Sequence, residues 1–328
     1  PFCDRQSTAP PSLSSAHRNP DRSSHERHGT RPLTVPTGTR KVVANGAGRG
    51  HHPMIAAMDA MYTIDGDRLV PSDLVQGPWD PTTCHGGPVA AVLARAVERI
   101  DAPHPMRVAR LTIDLLRPVP IEPVQLRTEV VRAGRQIHVV DTTMWHGDRL
   151  VSRASGVLVR CDRKIEIDAD KNERAVGPPP PDRHHESRSE FELIDSGDFT
   201  PPGFVNAIEL HRVAGSLNAG VPAVGWARLV KPLVAGEELT PLQRLACIGD
   251  FSSGIANYVD FFAYTTPNAD LTYHLVRHPV GEWIGIDAAT VMSPDGIGQS
   301  RARLFDETGF LGQAGATMVV APRELPLR

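Results

Sequence analysis

Two short stretches set reactive side chains among neighbours that give those side chains little else to do. In Ala246-Cys247-Ile248-Gly249-Asp250-Phe251 a carboxylate stands inside an apolar run. An ionised carboxylate in such company is costly unless it is paired or used. Used, Asp250 would take a proton from water; the plainer alternative is an Asp that caps a second helical segment after Gly249. In His85-Gly86-Gly87-Pro88 an imidazole and two glycines precede the apolar run Val89-Ala90-Ala91-Val92-Leu93-Ala94. Proline is tolerated in the first turn of a helix and not beyond, so the spacing predicts a helix that begins at about Gly86. The first N–H groups of a helix lack partners inside it, and Gly86 and Gly87 would leave them open to a substrate oxygen gaining negative charge. The same glycines also suit a helix that passes close under a sheet. His85 either hydrogen-bonds a substrate carbonyl or is simply satisfied at the turn.

Both stretches are placed by a pattern that occurs twice. Leu111–Arg117 (LTIDLLR) and Leu271–Arg277 (LTYHLVR) share Leu, Thr, Leu and Arg at an offset of 160 residues. The same offset pairs Ala154 with Ala314 and Val159 with Val319. A shared order of elements at a shared offset indicates a duplicated domain, here a tandem of two. In the first copy, a strand and turn over Tyr62–Val75 lead to a buried helix from Gly86 to about Ile100, then to strands at Arg107–Arg117, Val124–Val131, Ile137–His146 and Leu150–Arg160. In the second, strands at Ile208–Val213 and Gly225–Leu229 precede a helix that starts at Thr240-Pro241 and breaks near Gly249. Strands then follow at Asp270–Arg277, Glu282–Met292, Gly298–Asp306 and Phe310–Val320.

The expected organisation is therefore an N-terminal extension over 1–57, a first unit over 58–162, a linker over 163–203 and a second unit over 204–328. The extension is Pro-, Ser-, Arg- and His-rich, a composition that cannot bury a core. Met54, Met58 and Met61 are candidate native starts, with a basic regulatory tail as the alternative. The linker carries Pro178-Pro179-Pro180-Pro181 and no apolar pattern, so a loop is expected there.

Composition excludes several classes. A formal net charge of −3 gives no basis for a nucleic-acid or anionic-membrane partner. No apolar run approaches the ~20 residues that span a bilayer. The four cysteines form no CxxC pair, which fits reduced thiols and a cytoplasmic location. His51-His52 and His184-His185 lack helix-spaced partners, so no metal site is expected. Neither a Gly-x-Ser-x-Gly elbow nor a nucleotide-binding glycine loop occurs.

One buried helix followed by antiparallel strands, written twice, resembles the double hotdog. This is an α+β fold, expected here as two antiparallel sheets each wrapped around a central helix, with the site at the seam between the units. Gly77-Pro78-Trp79-Asp80 with His85-Gly86-Gly87-Pro88 resembles the first half of the bacterial acyl-CoA thioesterase II family. Gly249-Asp250-Phe251, Asn268-Ala269-Asp270-Leu271-Thr272, Arg277-His278-Pro279 and Gly281-Glu282-Trp283 resemble its second half. The resemblance covers about Met58 to Arg328. It implies hydrolysis of an acyl-CoA by a water that Asp250 activates, with Thr272 and a Gln holding the same water and no cofactor required. Gln313 is the Gln offered, although alignment puts the family position near Ala316, on the opposite face of a regular strand unless a bulge at Gly312 or Gly315 intervenes. Only the Asp250 side has a clear base, so one competent site is expected for the two units. Pairing of double hotdogs into homo-oligomers is a further implication. Two other readings stay open: a non-catalytic acyl-CoA-binding hotdog, and a hotdog enoyl-CoA hydratase that uses Asp80 and His85, five residues apart.

Overall fold

Alternation governs the strands. In Ile137–His146 and Gly309–Val319 buried and outward-facing residues succeed each other, so one face of each strand lies on a core. The structure, a computed structural model, describes residues 59–184, 188–189 and 203–324. The candidate starts Met54 and Met58, the His51-His52 pair and the rest of the extension lie outside these residues, as do His185 and most of the linker's second part. The described residues form one compact unit.

Strands β1 (Tyr62–Asp65) and β2 (Arg68–Pro71) form a hairpin and lead to helix α1 (Gly86–Glu98). Strands β3 (Met106–Asp114), β4 (Val124–Ala133), β5 (Ile137–His146) and β6 (Arg149–Arg160) follow. The linker contains a helix, α2 (Ala169–Val176), and a short strand, β7 (Arg188–Ser189). Helix α2 buries none of its residues and starts at an Asp168 cap, so it forms from local capping where no apolar stripe announces it. Next come β8 (Ile208–Ala214), β9 (Ala223–Leu229), α3 (Pro241–Gly249) and the one-turn α4 (Ser252–Ile255). The chain then forms β10 (Tyr264–Thr265), β11 (Asp270–Leu275), β12 (Ile284–Met292), β13 (Ile297–Asp306), β14 (Gly309–Val319) and β15 (Ala321–Pro322).

The two sheets expected from the sequence are one. Thirteen strands run in the order β1-β2-β4-β5-β6-β3-β11-β14-β13-β12-β9-β8-β7, beside a two-stranded sheet of β10 and β15. The join is made by the repeated strands themselves. β3 pairs antiparallel with β11 in a register that sets Thr112 opposite Thr272, Leu111 opposite Tyr273 and Ile113 opposite Leu271. Each would otherwise be an edge with unpaired backbone groups, and pairing the two edges removes both. Since equivalent residues face one another at Thr112 and Thr272, the pseudo-twofold axis passes through this pair.

Helices α1 and α3 lie on one face of that sheet. Val89, Val92, Leu93 and Val97 of α1 are fully buried, each adding about 1.5–3 kcal/mol. α1 packs on β3 to β6, α3 on β9 and β12, and α1 and α3 pack on each other. Their backbones nearly touch: a side-chain carbon at Gly87 would lie 2.5 Å from the Cys247 carbonyl oxygen. Glycine is required there by that approach. A capping box of Thr240 and Gln243 starts α3. The ring of Tyr273 runs under Gly249, its hydroxyl donating to the Ala246 carbonyl at 3.0 Å, and α3 ends there. Asp250 follows at once.

Candidate active site

Asp250 is thus delivered by the end of α3 to the start of α1. It is 4% exposed. A carbon added at Gly86 would lie 2.8 Å from one carboxylate oxygen and 2.9 Å from the other, so the carboxylate rests directly on the first turn of α1. The positive end of that helix favours a negative charge there. His85 Nδ1 stands 2.9 Å from Asp250 Oδ2, and Asn268 Nδ2 donates to Asp250 Oδ1 at 2.6 Å. The pair His85–Asp250 therefore bridges the two copies of the repeat. Phe204 and Phe251 pack against the imidazole, with ring centroids 4.6 and 5.1 Å from it, and against each other at 5.7 Å.

Proton bookkeeping limits what this cluster can be. His85 is the N-cap of α1, and its Nδ1 also lies 3.1 Å from the Gly87 N–H, in position to accept it. One nitrogen cannot accept from Gly87 and donate to Asp250 together. With Asp250 ionised, Nδ1 must carry a proton directed at the carboxylate, and the Gly87 N–H is released. With Nδ1 bare, Gly87 is capped and the shared proton sits on Asp250. The cluster couples the charge of Asp250 to the availability of a helix N–H.

These groups line a cavity of about 420 Å3, which runs between the two copies. Val89, Leu115 and Val119 come from the first copy, Leu210, Phe251 and Phe261 from the second. Such a volume and apolar lining suit a small-molecule ligand with few polar groups to fix it.

Family profiles match both halves of the chain. A profile for the acyl-CoA thioesterase N-terminal domain matches residues 75–159, and one for the acyl-CoA thioesterase C-terminal domain matches residues 175–320. The chain belongs to the acyl-CoA thioesterase family. It is a thioester hydrolase with a hotdog fold, an α+β arrangement of mostly antiparallel strands and few helices. Solved structures of the same fold include a candidate thioesterase II from Thermobifida fusca YX, 18% identical, with a TM-score of 0.60 over 81% of this chain and 96% of that one. A tesB protein from Mycobacterium avium subs paratuberculosis is 16% identical, with a TM-score of 0.56 over 82% and 99%. An acyl-CoA thioesterase II from Mycobacterium marinum is 16% identical, with a TM-score of 0.52 over 73% and 90%. No curated protein matches the chain in sequence.

The structure of this thioesterase brings together Asp250, His85, Gly86 and Gly87, and leaves two expected residues elsewhere. Leu271 and Tyr273 of β11 point to the helices, so Thr272 points to the other face, where its hydroxyl donates to Thr112 Oγ1 at 3.3 Å. Gln313 is exposed and sits opposite His274 and Arg303. A bulge does occur, with Leu304 opposite Gly312 and Phe305 opposite Phe310. It falls before Gln313, and the alternation resumed after it turns Ala314 and Ala316 inward and Gln313 out. Neither Thr272 nor Gln313 reaches Asp250. Asn268 does, four residues before Thr272; it was visible as part of the Asn-Ala-Asp-Leu-Thr match, but nothing local marks an Asn before a strand as a carboxylate's partner.

The Asp80–His85 pair required for the hydratase reading is not formed. Asp80 accepts from the Thr82 N–H at 2.8 Å and its hydroxyl at 2.6 Å, bonds that hold its carboxyl below the usual range, while His85 turns to Asp250. Cys84 also lines the cavity, but burial pushes its thiol up to about 12, far from the thiolate a nucleophile needs. Among the described residues no cluster of His, Cys, Asp or Glu could hold a metal ion, and no helix is long and apolar enough to cross a membrane.

Proposed function

We propose that this chain hydrolyses an acyl-CoA to a fatty acid and free coenzyme A, with Asp250 as the group that activates water. The observation that carries the reading is a buried carboxylate, held on both oxygens, at the glycine-rich start of α1 and in the wall of an apolar cavity. Ionised Asp250 accepts the Nδ1–H of His85 and the amide of Asn268, which leaves a lone pair on each oxygen for a water. As the water oxygen bonds to the thioester carbon, its proton passes to Asp250 and the carbonyl oxygen becomes negative. The N–H of Gly87, no longer capped by Nδ1, stands next to that of Gly86 at the positive helix end and stabilises this oxyanion. The carbon–sulfur bond then breaks and the thiolate leaves with the proton. The acyl chain occupies the apolar cavity between the two copies.

The test is release of free thiol from a panel of acyl-CoAs, short to long, by the wild type and by Asp250→Asn. Asparagine keeps the shape and both partners: its oxygen accepts from Asn268 and its amide donates to a bare His85 Nδ1. Loss of a general base costs about 100- to 10,000-fold in rate, with melting nearly unchanged. Hydrolysis within tenfold of wild type in Asp250→Asn would remove Asp250 from the role of base. Tight acyl-CoA binding without hydrolysis by the wild type would make the chain a binding module.

A further inference from the structure

The acyl half of the substrate has a place in this reading, and the coenzyme half has none. A guanidinium beside the cavity supplies one. Arg323, which follows β15, stands with its guanidinium carbon 5.3 Å from the ring centroids of both Trp79 and Phe261, two residues that line the cavity. The rings are 5.5 Å apart and tilted at 46°, so they form an angled wall against which the cation lies. This is a charged group with little to balance it. No carboxylate comes within 4 Å of it among the described residues. Its terminal nitrogens donate only to the Pro78 and Phe261 carbonyls, at 3.4 and 3.3 Å, the long end for such bonds. Its Nε–H is buried without any acceptor.

A half-buried guanidinium has five N–H donors, and here most lack a partner. Burial pulls its pKa down, and no acidic neighbour counters that effect. Two other arginines with limited exposure are matched by carboxylates: Arg95 pairs with Glu237 through two bonds, and Arg277 with Asp306 through two. The two rings attract the guanidinium by cation–π interaction. They leave its in-plane donors unanswered, and those donors fit the oxygens of a phosphate. Arg117, from the first copy, adds a second positive side chain to the cavity wall, also without a carboxylate within 4 Å.

We propose that Arg323, held against Trp79 and Phe261, binds a phosphate group of the coenzyme A portion of the substrate. The proposal rests on the acyl-CoA reading above. It makes the enzyme discriminate between a thioester of coenzyme A and the same acyl group on pantetheine, which has the thiol arm but no phosphate.

Two measurements test it. The first is the ratio of kcat/KM for an acyl-CoA to that for the matching acyl-pantetheine, in wild type, Arg323→Met and Arg323→Lys. The expected result is a ratio that falls about tenfold or more in Arg323→Met, through KM, and recovers in part in Arg323→Lys. A purely structural clamp on the two rings would lower both substrates together and leave the ratio unmoved, which overturns the proposal. The second is calorimetric binding of free coenzyme A, dephospho-coenzyme A and pantetheine, with inorganic phosphate as a control, and it needs no turnover. Binding of coenzyme A that weakens at least tenfold in Arg323→Met supports the site even if the wild type hydrolyses nothing, in which case the hydrolytic reading alone fails. Equal binding by wild type and Arg323→Met overturns it. A loss in Arg323→Met seen with coenzyme A but not with dephospho-coenzyme A assigns the contact to the 3′-phosphate; an equal loss with both assigns it to the diphosphate.

Discussion

Alanine at Gly86 would test the geometry of Asp250 without touching a reactive group. The added methyl carbon would lie 2.8 Å from Asp250 Oδ2, 2.9 Å from Oδ1 and 3.1 Å from Cγ. Unbonded heavy atoms settle at roughly 3.5 Å, so the carboxylate must retreat by about 0.5 Å or more. That movement lengthens the 2.9 Å approach to His85 Nδ1 and the 2.6 Å bond from Asn268 toward the limit of useful hydrogen bonds. Overpacking of this kind costs about 1–3 kcal/mol, offset by up to ~1 kcal/mol because alanine is a better helix former than glycine. The net loss of about 0–3 kcal/mol lowers Tm by up to roughly 10 °C. Activity has no such offset. Misplacement of a reacting group on this scale costs roughly 10- to 100-fold. Thermal melting and steady-state thiol release on Gly86→Ala provide the two readouts. Gly315→Ala is the control, since its methyl meets nothing closer than the Ser300 carbonyl at 3.8 Å. A Gly86→Ala enzyme that melts near wild type and retains more than half its kcat would show that the position of Asp250 does not limit the reaction, and the site as drawn would be wrong.

Two further predictions follow from other contacts. Asn268→Ala removes the donor at 2.6 Å and leaves Asp250 with His85 alone; kcat is expected to fall about tenfold with KM little changed, and an unaffected kcat would exclude Asn268 as a positioning residue. Asp306, with its side chain buried, carries a linkage to pH. Burial alone would raise its pKa, but two bonds from Arg277, the N–H groups of Val280 and Thr308, and the Thr308 hydroxyl hold it down to about 2. A carboxylate lowered on folding stabilises the fold above its unfolded value of about 3.9 and loses that contribution as pH falls through the folded value. Urea denaturation should therefore show stability falling between about pH 4 and pH 2, a loss that Asp306→Asn reduces along with stability at neutral pH. Equal pH slopes in the two proteins would refute the assignment.

Local rules explain why much of the fold was legible. Pro88 fixed the start of α1, and Thr240-Pro241 that of α3, because capping acts over three or four residues. Strand positions followed from alternation, and the duplication from its offset. Helix α2 was missed because an exposed helix, stabilised by its cap and charges, leaves no apolar stripe to read. The face of Gln313 stayed open because whether a bulge turns it depends on how β13 and β14 pair, which neither strand specifies by itself.

The division for the site is similar. The sequence by itself determined that Asp250 would be buried, that Gly86 and Gly87 would open a helix, and that the two lay in equivalent elements of a repeat. These follow from patterns a few residues long and from one offset. Only the tertiary structure decided that β3 and β11 join into a single sheet, that His85 turns to Asp250 instead of Asp80, and that Asn268, not Thr272, bonds Asp250. Each of those outcomes is a distance between segments more than a dozen residues apart in the chain, or a choice among competing partners. Such distances are set by the packing of all the elements together, to which no single stretch of residues has access.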